Sequence, residues 1–244
     1  MSAAPGTQAP APRLHLGTSG FSYPAWKGTF YPPDLKPAAM LRYYAERFSA
    51  VEINATFYRM PTEATLEAWL LQVPPGFIFV LKAPQRITHQ LRLVGAEQIV
   101  QRFTEIAQSL GERLGLLLFQ LPPNFKKDLA KLAAFLDLLP RGQRVSFEFR
   151  NPTWFDAETL ELLRSRGVAL CWEEAEEIES PFESTADLGY LRLRMPEYSD
   201  QALQTWVDRI RAQGWKEVFV FFKHEDEGKG PLFAKRFKEL WDGG

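Results

Sequence analysis

Several residue types are scarce in this sequence, and each shortage excludes a class of protein. The single cysteine, Cys171, rules out an intramolecular disulfide and a cysteine-based zinc cluster, and we expect it to be a buried core thiol. Only 3 histidines occur, with no HxH or HExxH spacing, which argues against a multi-zinc centre. No apolar run approaches the ~18 residues of a membrane span. These features are typical of a protein of a reducing compartment, and the cytoplasm is the expected location.

Net charge is also almost absent. The 29 lysines and arginines nearly match the 30 aspartates and glutamates, which leaves a formal charge of -1. This balance disfavours nucleic acid or an anionic membrane as a general partner, so any preference for charge must be local. Residues 1–13 are rich in alanine and proline and lack the basic start and apolar segment of a signal peptide. We expect a flexible leader over 1–13 and one domain over 14–244.

Short runs of β-type residues alternate with amphipathic segments along this domain. The runs are LHLGT (14–18), AVEIN (50–54), FIFVLK (77–82), LLLFQL (116–121), VSFEF (145–149), VALCW (168–172), LGYLRLR (188–194) and EVFVFF (217–222). Helices are predicted over 37–48, 62–72, 97–110, 128–138, 156–166, 199–213 and 231–240. The sixth unit continues as the acidic stretch EEAEEIESPFESTAD, which predicts a loop or one short turn. Eight units predict a single (β/α)8 TIM-type barrel whose sixth helix is short or missing.

Functional residues of such barrels lie at the carboxyl ends of the strands. Polar side chains at those ends are Glu52, Asn54, Lys82, Gln120, Glu148, Arg150, Arg192, Arg194 and Lys223. Side chains alternate along a strand, so Glu52 and Glu148 should face the lumen while Ile53, Phe149 and Leu193 face the helices.

Five cations and two carboxylates would then share the lumen, with a surplus of three positive charges. Such a surplus would fit a small anionic ligand, and arginine suits a phosphate or carboxylate held at two points. Alternatively, the charges pair among themselves, for example Glu52 with Lys82, and merely plug the end of the barrel.

Aromatic residues follow several of the same strands. We expect Tyr23, Trp26, Tyr58 and Trp154 to contribute to ligand binding, because flat rings beside cations suit a sugar ring or a nucleobase. Packing of these rings against the barrel rim is the equally open alternative.

The lumen carboxylates raise three chemical alternatives. Glu148 or Glu52 could act as a general base, or the two could form a glycosidase-like acid and base pair. One Mg²⁺ or Mn²⁺ held by the two carboxylates and water is also open, although no metal ligand is assigned. His89 could shuttle a proton or simply anchor its loop. The acidic run from Glu173 to Glu179 is expected to be solvated surface.

Five blocks of sequence resemble the signature of the YecE-like family, a bacterial and archaeal group labelled as a domain of unknown function. The blocks are GTSGFSY with WKGTFYP, VEINATFYRMP, KAPQRITH, LLFQLPP and FEFRNPTWF. The resemblance runs from about residue 14 to the C-terminus and implies a TIM-barrel fold without supplying a reaction. The chain departs from the family pattern at LRLRMP and FFKHEDEG, which bears on Arg194 and Lys223.

Two functional hypotheses follow from these observations. In the first, the protein is an enzyme that binds a small phosphate- or carboxylate-bearing molecule at the mouth of the barrel and performs hydrolase, lyase or isomerase chemistry. In the second, it is a non-catalytic protein that binds a nucleotide or a nucleic-acid end through the same mouth. The sequence does not indicate an oligomeric state.

Overall fold

A computed structural model describes residues 11–175, 178–225 and 227–243, and these residues form a TIM-type barrel. Eight parallel strands surround the lumen, and a short ninth strand, β7, pairs antiparallel with β6. The strands are β1 (Arg13–Thr18), β2 (Ala50–Ile53), β3 (Ile78–Lys82), β4 (Leu114–Gln120), β5 (Val145–Glu148), β6 (Ala169–Ala175), β7 (Ile178–Glu179), β8 (Leu188–Leu193) and β9 (Glu217–Phe222). All eight predicted strands are confirmed. The first ten residues of the predicted leader lie outside the described residues, and β1 already begins at Arg13.

Alternation along the strands divides the buried apolar residues into two clusters. The inner cluster fills the barrel and includes Ile78, Val80, Leu118, Cys171 and Phe221. The larger outer cluster lies between the barrel and the helices, and the predicted outward residues Ile53, Phe149 and Leu193 belong to it. Because neighbouring side chains face opposite sides of a strand, this partition fixes which polar residues share the lumen.

The barrel closes between β1 and β2 through a tyrosine rather than through a continuous ladder. The Tyr44 hydroxyl accepts a bond from the backbone N–H of Thr18 (2.7 Å) and donates to the carbonyl oxygen of Ala50 (3.1 Å). Glycine is required at position 17, since an added Cβ would lie 1.9 Å from the Ala50 oxygen. At the carboxyl end, the N–H of Gly20 donates to the Glu52 carbonyl (2.8 Å).

Seven helices follow the predicted order, six with shorter bounds and the last with longer bounds, and a further short helix over Ala55–Tyr58 was not predicted. They are α1 (Met40–Ala45), α2 (Ala55–Tyr58), α3 (Glu63–Leu70), α4 (Glu97–Gln108), α5 (Leu129–Leu136), α6 (Ala157–Arg166), α7 (Asp200–Arg211) and α8 (Lys229–Asp242). Short helical turns cover Pro24–Trp26, Pro37–Ala39, Gly111–Arg113 and Pro152–Trp154, and a π-helical turn covers Arg86–Gln90. The side chains of Asp128, Asp156 and Ser199 each accept a backbone N–H of the first turn, as N-caps do.

The sixth unit differs from the others in the predicted way. No helix occupies the described residues between β6 and β8, where β7 folds back onto β6 and an irregular segment leads to β8. None of the helices in the described ranges is long and apolar enough to cross a membrane.

Candidate functional site

The centre of the mouth is a buried arginine that lies between two carboxylates. Arg192 on β8 is fully buried and donates to Glu148 Oε2 on β5 (2.5 Å) and to Glu52 Oε1 on β2 (2.9 Å). The second oxygen of Glu52 accepts the Tyr190 hydroxyl (2.5 Å). Both carboxylates are fully buried, so three strands are joined by charge across the lumen.

A second group of paired charges lies beside the first. Arg150 donates from Nε to the remaining oxygen of Glu148 (2.7 Å) and from a terminal nitrogen to Glu173 Oε1 (3.1 Å). The same Glu173 oxygen also accepts from Arg194. We call the six side chains Glu52, Glu148, Glu173, Arg150, Arg192 and Arg194 the ionic network. The predicted pair between Glu52 and Lys82 does not form, since Glu52 binds Arg192 instead.

Glu173 is a member that sequence reasoning missed. We expected it on a solvated acidic surface, and this prediction is wrong, because the residue is 1% exposed and bonded to two arginines. The signal was available in the alternation, since Ala169 and Cys171 of the same strand face the lumen and Glu173 is the next residue in that series. The predicted strand ended at 172, whereas β6 continues to Ala175.

The network holds its central carboxylates in the ionised form. Burial alone would raise the pKa of Glu148, but Arg192 and Arg150 outweigh burial and bring the pKa well below its usual range. Burial likewise opposes ionisation of Glu52, and Arg192 together with the Tyr190 hydroxyl lowers its pKa. Burial raises the pKa of Glu173, and the nearby Glu148 adds to the effect.

Two lysines at the mouth, unlike the arginines of the ionic network, form no ion pair with a carboxylate of the described residues. Lys82 ends β3 and is 8% exposed, and Lys223 follows β9 and is half-buried. Within the described part of the chain, neither amine has a carboxylate within ion-pairing distance; the Lys82 Nζ instead lies 4.3 Å from the centre of the Phe57 ring. Burial, reinforced by Arg192, lowers the pKa of Lys82 to about 8. Burial, then Arg192 and Arg194, also lowers the pKa of Lys223.

His89 lies close to Lys82 but outside the network. Its Nδ1 is 2.9 Å from the Thr88 hydroxyl, and its ring packs nearly perpendicular to Phe57 at 5.0 Å. Burial and the charge of Lys82 lower the pKa of His89, so the neutral imidazole is favoured. Lys82 and His89 therefore contact the same aromatic ring.

The amides Asn54 and Gln120 also reach the mouth. Gln120 is 6% exposed and pairs in register with Glu148, and its side chain has no hydrogen bond to any described residue. The Asn54 Oδ1 is buried and likewise unpaired within the described ranges. Free amide groups beside cations can orient a polar ligand.

The four predicted aromatic residues separate into two pairs. Trp26 and Trp154 are fully buried, and their indole N–H groups donate to the carbonyls of Glu225 (3.0 Å) and Phe125 (2.7 Å), so they pack the loops against the barrel. Tyr23 is half-buried and donates to the Ser19 carbonyl (2.7 Å), while Tyr58 is 75% exposed beside Phe57. Only this second pair is accessible to solvent.

The carboxylates do not fit a metal ion. The oxygens of Glu52 and Glu148 accept from arginine or tyrosine donors, which leaves few lone pairs for a cation and places the Arg192 charge against it. Among the described residues, no group of three or more histidine, cysteine, aspartate or glutamate side chains could hold a metal.

The fold and the mouth together define a class, a (β/α)8 barrel with an ionic network across the carboxyl end of its lumen. The profile of the family described as "Protein of unknown function DUF72" matches residues 15–243, and the chain belongs to this family. This confirms the resemblance drawn from the sequence blocks.

Relatives of known sequence and structure agree with this assignment. The chain is 30% identical over 156 residues to the UPF0759 protein YecE of Escherichia coli; that match covers 64% of this chain and only 55%, about half, of the relative's length. The UPF0759 protein YunF of Bacillus subtilis is 24% identical over 94% of this chain and 95% of its own. A crystal structure of a DUF72 family protein from Thermotoga maritima is 28% identical, with a TM-score of 0.83 over 94% of this chain and 99% of that one.

Proposed function

We propose that this protein is an enzyme that binds a small phosphate- or carboxylate-bearing molecule at the mouth of its barrel. The observation that carries the proposal is that the charges of the ionic network are paired, whereas those of the two lysines at the mouth are not. The three carboxylates and three arginines of the ionic network balance one another, whereas Lys82 and Lys223 remain without counterions among the described residues. The expected surplus of three positive charges thus becomes two, because Glu173 joins the mouth.

The two amines are close enough to influence each other, since the charge of Lys223 contributes to the lowered pKa of Lys82. A bound anion would remove this repulsion and supply the missing counterion to both. A groove of about 750 Å³ lies beside Lys223 and is lined by Arg194 and His224 as well as by the acidic residues Glu225 and Glu227.

The catalytic base needs a different assignment from the one the sequence suggested. A carboxylate whose oxygens accept from two guanidinium groups is a weak base, and this describes Glu148. Arg192 is also too enclosed to grip a ligand directly. Proton transfer is better assigned to the neutral imidazole of His89 and to the amine of Lys82, with Glu52 and Glu148 as structural partners of Arg192.

Anion binding is tested by calorimetric titration with inorganic phosphate and with malonate. Lys82→Gln and Lys223→Gln should each weaken binding at least about tenfold, because each removes one of two uncompensated charges. Lys216→Gln is the matched control, since Lys216 is exposed and lies at the amino end of β9, away from the mouth. Equal affinity of all variants would refute the proposal. A steep fall of affinity with ionic strength, for a bound oligonucleotide, would instead favour the nucleic-acid-end binder.

A further inference from the structure

We propose that Lys82 is a Schiff-base lysine, whose amine condenses with the carbonyl carbon of a small aldehyde or ketone that carries a carboxylate or phosphate. This inference rests on the proposed function and names the substrate class for the same mouth. It is carried by the placement of the amine, which ends a barrel strand, is enclosed by the protein and lacks a counterion among the described residues.

The surroundings of the amine favour its neutral, nucleophilic form. The Nζ lies over the face of Phe57, and no carboxylate of the described residues lies within ion-pairing distance of it. A desolvated lysine beside a second cation is the arrangement that activates amines for condensation with carbonyls. Charged groups that act on Lys82 come from four other strands or strand ends and one turn: Arg192, Glu148, Glu52, Lys223 and His89.

The position of the Arg192 guanidinium near Lys82 is fixed by its hydrogen bonds to Glu52 and Glu148. Those carboxylates partly offset its charge at Lys82, and burial remains the dominant cause of the lowered pKa. The nucleophilic character of Lys82 therefore depends mainly on enclosure, which a folded barrel provides at all times.

The chemistry balances without an external reductant or oxidant. The lone pair of neutral Lys82 Nζ attacks the carbonyl carbon, a C–N bond forms, and the C–O π electrons move to oxygen, which takes a proton. The neutral imidazole of His89 takes the proton that the nitrogen loses and passes it to this hydroxyl, which leaves as water and gives a protonated imine. The imine keeps the positive charge of the lysine and accepts electrons when an adjacent C–C or C–H bond breaks, and water later releases the product.

The acidic substituent of the substrate has its own partner in this scheme. Once Lys82 is committed to the carbonyl carbon, Lys223 is the remaining uncompensated cation of the described mouth. A carbonyl compound with a carboxylate or phosphate near its carbonyl carbon, such as glyoxylate, would direct its charge towards Lys223 and its carbon towards Lys82. Uncharged aldehydes would lack the first of these contacts.

The experiment is reductive trapping of the wild-type protein with glyoxylate and sodium cyanoborohydride, followed by peptide mapping. At about pH 7.5 an amine of pKa about 8 has roughly 200-fold more neutral form than an ordinary lysine, so Lys82 should be the first lysine modified. Its rate should reach half its maximum at about pH 8, whereas the rate at exposed lysines such as Lys216 should still rise towards pH ~10.

Variants and a second probe separate the two proposals. Lys82→Arg should abolish the early adduct, and the control Lys216→Arg, away from the mouth, should retain it. Mapping on the wild-type chain gives the answer even where a variant does not fold. Early labelling of Lys82 by acetaldehyde without any preference for glyoxylate would uphold the Schiff base and refute the anion site. Malonate binding with no early adduct at Lys82 would uphold the anion site and overturn the Schiff base. Modification spread evenly over the exposed lysines would also overturn it.

Discussion

Replacement of Arg192 by methionine is the sharpest test of the ionic network. The substitution removes a fully buried guanidinium and leaves Glu52 and Glu148 as buried carboxylates that have each lost a partner. Breaking a buried ion pair by removing one partner costs about 3–5 kcal/mol. Glu52 keeps the Tyr190 hydroxyl and Glu148 keeps Arg150, so we expect the loss in free energy of unfolding to lie within that range at about pH 7.5.

The sign of the pH dependence follows from the two carboxylates. In the variant, burial dominates and raises the folded-state pKa of Glu52 and Glu148 above the unfolded value. The folded variant therefore takes up protons as the pH falls, and the difference from wild type should shrink between about pH 7.5 and pH 5. Urea unfolding followed by tryptophan fluorescence measures both quantities.

Two companion variants serve as controls for this test. Arg194→Met removes a guanidinium whose side chain is 26% exposed and leaves Glu173 bonded to Arg150, so its cost should stay below about 1 kcal/mol. The triple variant Arg192→Met with Glu52→Gln and Glu148→Gln should recover most of the lost stability, because neither carboxylate is then left as a buried charge without Arg192. A loss below about 1 kcal/mol for Arg192→Met, or a difference that does not shrink with acid, would refute the reasoning.

Three further predictions follow from other contacts. Lys82→Met should stabilise the protein by about 1–3 kcal/mol at pH ~7, since the enclosed ammonium is then absent; because the pKa of Lys82 is lowered, the gain should vanish as the pH rises from 8 towards 10, and a constant gain in urea unfolding would contradict this. Tyr190→Phe should cost about 1.5–3 kcal/mol by the same assay through the lost bond to Glu52, and a neutral result would show that this bond contributes nothing. Gly17→Ala should prevent soluble expression or lower the melting temperature strongly in calorimetry, because the Ala50 oxygen occupies the space of the new Cβ; an unchanged melting temperature would show that the β1–β2 seam relaxes freely.

The fold was predictable because each of its determinants is local. Runs of β-type residues gave the strands, and Asp128, Asp156 and Ser199 marked helix starts that the structure confirms. The ends of the strands were harder to predict. The acidic residues at the end of β6 resemble exposed surface, and only the alternation of side chains from Cys171 to Glu173 shows that Glu173 faces the lumen. Closure by Tyr44 was not predictable, because a hydroxyl that bridges two strands leaves no periodic signal.

Within the site, alternation identified the residues of the mouth but not their partners. The same pattern permits Glu52 to pair with Lys82 or with Arg192, and only side-chain length and relative height in the barrel decide for Arg192. Sequence also could not separate rings that pack from rings that are accessible, since Trp26 and Tyr23 lie in one loop and differ in burial.

The contrast between paired and unpaired cations indicates where selection for function acts in this barrel. A paired arginine such as Arg192 is explained by the stability of the network that contains it. Lys82 has no such explanation, because its enclosure penalises the charged form and the charges of Glu148 and Glu52 offset only part of that cost. A destabilising group persists where activity requires it, so a gain in stability on replacing Lys82 would point to function at this residue rather than to structure.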